Sequence, residues 1–265
     1  MTHPVRAVLL DLDGTIYHNA QLLPGAAEAL EALRRAGIPY AFVTNTSSKT
    51  RAALGMRLAR LGLDADPALL FTPASAARAY LLGRGHTRCH FLMAGEVLED
   101  FGGIQPVDTS PQSVVVGDLS EDASFRYERL NRALHHLLDG SELVTLAWNR
   151  YFLGADGYVL DVGAIVAGLE YASGRKATLL GKPAAEFFGA ALTSLGVPAA
   201  EAICVGDDLE SDVLGAQDAG MRGVLVRTGK FREEVLARSP ARPTFVIDSI
   251  ADLPELLGIG ALRRS

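Results

Sequence analysis

At 265 residues, 49% of them hydrophobic, the chain is long enough for one large core or two smaller ones. Its formal net charge of −6, with no run of like charge, excludes a nonspecific nucleic-acid binder and a polybasic tail reaching for membrane lipid. The two cysteines, Cys89 and Cys204, lie far apart without metal or redox spacing and read as reduced buried thiols.

The N-terminus shows no basic segment followed by an apolar stretch, and no run approaches the ~20 apolar residues of a membrane span. A cytoplasmic protein with no membrane and no nucleic-acid partner is therefore expected. Val8-Leu9-Leu10 lacks polar alternation, as a strand buried on both faces does. Pro24-Gly25 opens a helix with Ala26, Leu30 and Leu33 on one face, stopping at Gly37. Ala41-Phe42-Val43 is the next strand, and Leu54, Leu58 and Leu61 mark a second helix ending at Gly62. This is βαβ rhythm, which predicts a parallel sheet.

The middle of the chain carries its own candidate strands at Cys89–Met93, Val114–Val116, Leu143–Ala147, Tyr151–Leu153 and Tyr158–Leu160. Two helical patterns accompany them, one through Tyr127, Leu130, Leu134 and Leu137, the other through Ile165, Leu169 and Ala172. The first rhythm then resumes. Thr178-Leu179-Leu180 reads as a strand of the first sheet, Pro183 as a first-turn proline, and Phe187, Ala191 and Leu195 as one helix face. Strands at Ala202–Val205, Val224–Val226 and Phe245–Ile247 follow, with a helix through Val213, Ala216 and Gly220 between the first two. A closing helix passes through Ile250, Leu253 and Leu257. The prediction is an α/β fold, a doubly wound parallel sheet in residues 1–79 and 178–265 with an α/β domain inserted at 80–177.

Ligands of such sheets bind outside the carboxyl ends of the strands. Leu10 is followed by Asp11-Leu12-Asp13-Gly14-Thr15, Val43 by Thr44-Asn45-Thr46, Leu180 by Gly181-Lys182-Pro183, and Val205 by Gly206-Asp207-Asp208 with Asp212 one helical turn on. If these strands are neighbours, the polar groups meet at one edge. Carboxylates ~4 Å apart repel by about 4 kcal/mol at an effective dielectric near 20, so such a cluster needs cations. Oxygen donors favour Mg²⁺ over zinc, Lys182 adds a further positive charge, and Thr44 with the N–H groups near Asn45 can bind phosphate oxygens. Taken singly, each piece is an ordinary cap or turn, and Gly117-Asp118 with Asp122 imitates the Gly206-Asp207 pattern. The ordered set at matching strand ends is what points to a site. The six histidines read as surface or packing residues, and Trp148 to Tyr151 as either substrate contacts or ordinary surface.

These motifs resemble the haloacid dehalogenase superfamily: Asp11-Leu12-Asp13-Gly14-Thr15, then Thr44, then Lys182, then Gly206-Asp207 to Asp212. An insert of this size between the second and third motifs is similar to the type IIA cap of its NagD-like phosphatases. Phe42 to Thr46, Leu169 to Ala172, Gly181-Lys182-Pro183, Gly215-Ala216-Gln217 and Arg227 to Phe231 look most like the branch of phospholysine/phosphohistidine/pyrophosphate phosphatases and their haloacid-dehalogenase-like relatives.

The resemblance implies a magnesium-dependent phosphatase of small phosphorylated metabolites. Asp11 would be the nucleophile that forms an aspartyl-phosphate, and Asp13 the acid and base. Asp11, Asp207 and the carbonyl of Asp13 would ligate Mg²⁺, Thr44, Asn45, Thr46 and Lys182 would contact the phosphoryl group, and Asp208 and Asp212 would orient Lys182 or a metal-bound water. It also implies a cap that selects the leaving group, and extends to a homodimer formed through that cap. Some members of the branch carry Ser at the position of Asp13; the Asp here favours turnover. The alternatives are a phosphoacceptor or phosphate-binding regulator without efficient turnover, and a phosphomutase.

Overall fold

The computed structural model describes residues 4–63, 65–93, 95–119, 126–154 and 157–259. Asp122 lies outside them. In chain order the strands are β1 (Ala7–Leu10), β2 (Tyr17–His18), β3 (Gln21–Leu22), β4 (Tyr40–Val43), β5 (Leu70–Phe71), β6 (Arg88–Leu92), β7 (Gln105–Pro106) and β8 (Ser113–Val116). There follow β9 (Glu142–Thr145), β10 (Tyr151–Gly154), β11 (Gly157–Leu160), β12 (Ala177–Leu179), β13 (Ala202–Gly206), β14 (Arg222–Val226) and β15 (Phe245–Ile247). The chain divides into two compact units, one of residues 1–44, 55–71 and 182–265, the other of residues 45–54 and 72–181. The expected insert, 80–177, lies inside the second unit, which also takes in the helix Pro73–Gly83.

The first unit holds a six-stranded sheet in the order β15-β14-β13-β1-β4-β5. Each neighbouring pair is parallel, with Leu10 opposite Val205 on one side and Phe42 on the other. Every residue of β1 and β13 is buried, which explains their unbroken apolar runs: a central parallel strand has no solvent face. The helix Ala26–Arg35 buries Ala26, Ala29, Leu30, Ala32 and Leu33 along one stripe. The helix Ala185–Leu195 buries Phe187, Phe188, Ala191 and Leu192. Pro183 precedes this helix instead of starting it, and its bond to Lys182 is cis.

The second unit holds a five-stranded parallel sheet in the order β12-β9-β8-β6-β7, and a separate antiparallel hairpin of β10 and β11. Its strands alternate between two cores. Phe91, Val115 and Val144 pack with Ala77, Leu81, Val97 and Phe101 on one face. Leu92, Val114, Val116 and Leu143 pack with Leu137, Val166 and Leu169, from the helices Tyr127–Leu138 and Val162–Ser173, on the other. One expectation is corrected here. The strand before Lys182 belongs to this sheet, with Thr178 opposite Val144, and not to the six-stranded sheet. An apolar triplet fits any parallel neighbour, and the periodicity that reveals a strand does not name its partner.

Candidate active site

The carboxyl ends of β1, β4 and β13 carry the site. The ladder runs one residue past β1, because the N–H of Asp11 donates to Val205 O at 2.9 Å. The chain then turns back tightly: Leu12 O accepts from the N–H groups of Ile16 at 2.8 Å and Tyr17 at 3.1 Å. Gly14 takes φ +81° in this turn, a region that costs an L side chain steric strain. The turn leaves Asp11 buried and Asp13 exposed, and the Asp13 carboxylate lies 3.5 Å from His18 Nδ1.

Beyond β13, Asp208 caps a π-type turn, Leu209–Leu214, by accepting from the N–H groups of Glu210 at 3.1 Å and Ser211 at 3.0 Å. That turn brings Asp212 back toward the strand end, where its Oδ2 accepts from the N–H of Asp208 at 3.1 Å. The predicted helix through Val213, Ala216 and Gly220 is thus a π turn followed by a short α segment, Gly215–Asp218, with Gly220 beyond it.

Lys182 ties these pieces together. Its ammonium donates to Asp11 Oδ1 at 2.6 Å, to Asp212 Oδ1 at 2.5 Å and to the carbonyl of Val43 at 3.2 Å. Its side chain is 2% exposed. Burial works against the ammonium, but the Asp11 and Asp212 charges outweigh that penalty and raise its pKa above the ordinary value. Lys182 is therefore a fixed positive charge.

One ammonium does not balance the carboxylates around it. Asp11, Asp207 and Asp212 are all buried and each offers an oxygen within 4.8 Å of the others. Burial, then the charges of Asp11 and Asp212, push Asp207 up to about 8. Burial also raises Asp212 to about 7, although Lys182 works the other way. The cluster is short of positive charge, its donors are hard oxygens, and it fits a divalent cation. Asp208 is different. Burial opposes its charge, yet Lys230 and the Ser211 N–H hold its pKa below the usual carboxylate range. Lys230 Nζ stands 3.4 Å from it.

The structure thus brings Asp11, Thr44, Lys182, Asp207, Asp208 and Asp212 into the first unit at one sheet edge, with Thr44 buried at the end of β4. Asp13 stays in that turn with its side chain in solvent. Asn45 and Thr46, half-buried, fall in the second unit. Residues that the sequence analysis assigned no role at the site also reach it. Thr15 Oγ1 lies 3.4 Å from Asp11 Oδ2, the Thr228 hydroxyl donates to Gly14 O at 2.5 Å, and the N–H of Lys230 donates to Asp207 Oδ2 at 2.7 Å. The signal for the last two was the strand end after Val226, which obeys the same topological rule as the others. Of the histidines, His90 and His136 are buried, as packing residues are.

Known proteins share this organisation. A family model described as haloacid dehalogenase-like hydrolase matches residues 8–103, and a second, HAD-hydrolase-like, matches residues 179–253. The human haloacid dehalogenase-like hydrolase domain-containing protein 2 is 44% identical over 228 residues, covering 86% of each chain. The human phospholysine phosphohistidine inorganic pyrophosphate phosphatase is 38% identical over 260 residues, covering 96% of this chain and 94% of that one. Among solved structures, a 4-nitrophenylphosphatase from Thermotoga maritima superposes with a TM-score of 0.88 at 30% identity, covering 95% of this chain and 97% of its own. NagD from E. coli K-12 superposes with a TM-score of 0.85 at 27% identity, over 94% of this chain and 98% of its own. The chain belongs to the haloacid dehalogenase-like hydrolases, among their NagD-like phosphatases.

Proposed function

We propose that the chain hydrolyses small phosphorylated metabolites in two displacements at phosphorus, with Asp11 as the nucleophile and Mg²⁺ as the cofactor. The observation that carries this reading is the buried contact of Lys182 with Asp11 and Asp212 beside Asp207. It unites segments that a phosphoryl-transfer site needs together: a carboxylate to act as nucleophile, a fixed cation and a set of hard oxygen donors.

In the first displacement an Asp11 carboxylate oxygen bonds to phosphorus as the bond to the leaving oxygen breaks. Asp13 gives that oxygen a proton. Its exposure and its place two residues on, in the same tight turn, suit an acid that must meet a leaving group arriving from solvent. In the second displacement Asp13 takes a proton from water as the water oxygen bonds to phosphorus, and Asp11 departs with the electron pair of the broken bond. Lys182 and Thr44, with Asn45 and Thr46, bind phosphoryl oxygens and steady the charge that spreads over them. Asp11, Asp207 and the Asp13 carbonyl would hold the Mg²⁺, which supplies Lewis-acid charge neutralisation when bound. Asp212 orients Lys182, and Asp208 holds the π turn that presents Asp212.

On this reading the second unit is a type IIA cap that selects the leaving group, and the protein works as a cytoplasmic homodimer assembled through that cap. No helix among the described residues is long and apolar enough to cross a membrane. The test is a panel of phosphomonoesters, pyrophosphate and phosphoamidates, assayed with Mg²⁺ and with chelator. Mg²⁺-dependent multiple turnover of at least one small substrate is expected. Stoichiometric phosphorylation without phosphate release would instead favour a regulator.

A further inference from the structure

We propose that the loop Thr228-Gly229-Lys230 is a positioning element for Asp207, pinning one carboxylate oxygen so that the other faces the cation. The proposal rests on the reading of Asp207 as a cation ligand.

Four contacts carry it. The N–H of Lys230 donates to Asp207 Oδ2 at 2.7 Å. Gly229 lies against the same oxygen: a Cβ on it would stand 1.9 Å from Asp207 Oδ2 and 2.7 Å from Gly14 Cα. Gly14 closes the cradle from the nucleophile turn, since a Cβ there would stand 2.0 Å from the same Oδ2 and 3.0 Å from Gly229 Cα. Both glycines have positive φ, +81° at Gly14 and +59° at Gly229, so each is needed for conformation and for space. The Thr228 hydroxyl locks the two loops together by donating to Gly14 O at 2.5 Å.

The consequence is geometric. Asp207 Oδ2 is held between two backbones with its hydrogen bond supplied, which leaves Oδ1 as its oxygen for a metal. The clasp also joins the turn after β1 to the loop after β14, so the Asp13 carbonyl and the Asp207 carboxylate, the ligands from two strands, are set in one frame. Partners of this kind orient metal ligands, and their loss commonly weakens metal binding by about ten- to a hundredfold.

The experiment measures Mn²⁺ affinity by electron paramagnetic resonance of the free ion, alongside the thermal midpoint in chelator. Gly229→Ala should bind Mn²⁺ at least about tenfold more weakly. The metal concentration for half-maximal activity should rise in parallel, with much of kcat returning at saturating metal. Thr228→Val should weaken Mn²⁺ binding several-fold and Thr228→Ser, which keeps the hydroxyl, should restore it. A folded Gly229→Ala that binds Mn²⁺ within roughly twofold of the wild type overturns the proposal. If Gly229→Ala does not fold, equal affinity in the two Thr228 variants and the wild type overturns it. Asp207→Asn separates the two readings: if it binds Mn²⁺ like the wild type, the cation site itself is misassigned.

Discussion

Lys182 Nζ and Asp11 Oδ1 stand 2.6 Å apart although 171 residues separate them in the chain. The same ammonium lies 2.5 Å from Asp212, so two carboxylates share one buried charge. An ion pair this deep is weak evidence of stability for its own sake, since burying the charges costs more than most pairs return. The contact instead gathers Asp11 and Asp212 about one cation at the sheet edge, and the proposed role of Asp11 rests on that placement.

Replacing Asp11 removes the proposed nucleophile but leaves Lys182 paired with Asp212. Asp11→Asn is therefore expected to fold, with unchanged circular dichroism, and to lose at least about a thousandfold of its Mg²⁺-dependent turnover of 4-nitrophenyl phosphate. It also takes one charge from a crowded cluster, so its thermal midpoint in chelator should not fall below that of the wild type.

Lys182→Ala does the reverse. It leaves Asp11 and Asp212 buried without their ammonium, and breaking a buried pair from one side costs about 3–5 kcal/mol. Denaturant melts should show that loss in chelator and a partial recovery with millimolar Mg²⁺. Activity should fall about a hundredfold even where the protein stays folded.

The cluster also sets a pH dependence. Asp207 is pushed up to about 8 and Asp212 to about 7, both above the ordinary carboxyl value of 3.8. Between roughly pH 4 and those values the folded chain holds protons that the unfolded chain has released. Stability in chelator should therefore fall as pH rises through this window. Saturating Mg²⁺, which favours the ionised carboxylates, should flatten the fall, and Asp207→Asn should remove its share. Melts at several pH values, with and without Mg²⁺, check this; identical slopes in both conditions would count against a cation on these residues.

The second unit has the opposite sensitivity. His90 is buried, its ring centroid is 5.1 Å from that of His136, and its Nδ1 lies 3.3 Å from Val107 O and 3.3 Å from Asp108, which also pairs with Arg132 at 2.8 Å. Burial, aided by His136, lowers the pKa of His90 despite Val107 and Asp108. Below about pH 6.5 the unfolded chain takes up a proton that the folded one refuses, so stability falls as pH falls. His90→Phe should lose part of that fall. Hydrogen exchange along β6 would show it as protection retained at pH 5.

Much of this was legible in the sequence. Val8-Leu9-Leu10 and Ala202 to Val205 announce buried parallel strands because a central strand has no polar face to display. The acids after them follow because ligands gather at such strand ends. What escaped was pairing and side-chain direction. Thr178-Leu179-Leu180 looked like any parallel strand, and only the register against Val144 assigns it to the second sheet. Asp212 was expected to orient Lys182 or a metal-bound water; the sequence did not show that a π turn, invisible to a 3.6-residue period, carries it, or that its oxygen lies near those of Asp11 and Asp207. The hold of Lys230 on Asp207 is made by a backbone N–H, and no residue type advertises that.

The proposed mechanism passes through a covalent bond between Asp11 and phosphorus, and that bond can be trapped. Asp13→Asn should slow release of the phosphoenzyme more than its formation, so the variant can be quenched after mixing with substrate and Mg²⁺. Reduction with borohydride and peptide mass spectrometry should then find Asp11 converted to homoserine. Continued turnover with no modification at Asp11, or a phosphoryl group on another residue, would show that Asp11 is not the nucleophile.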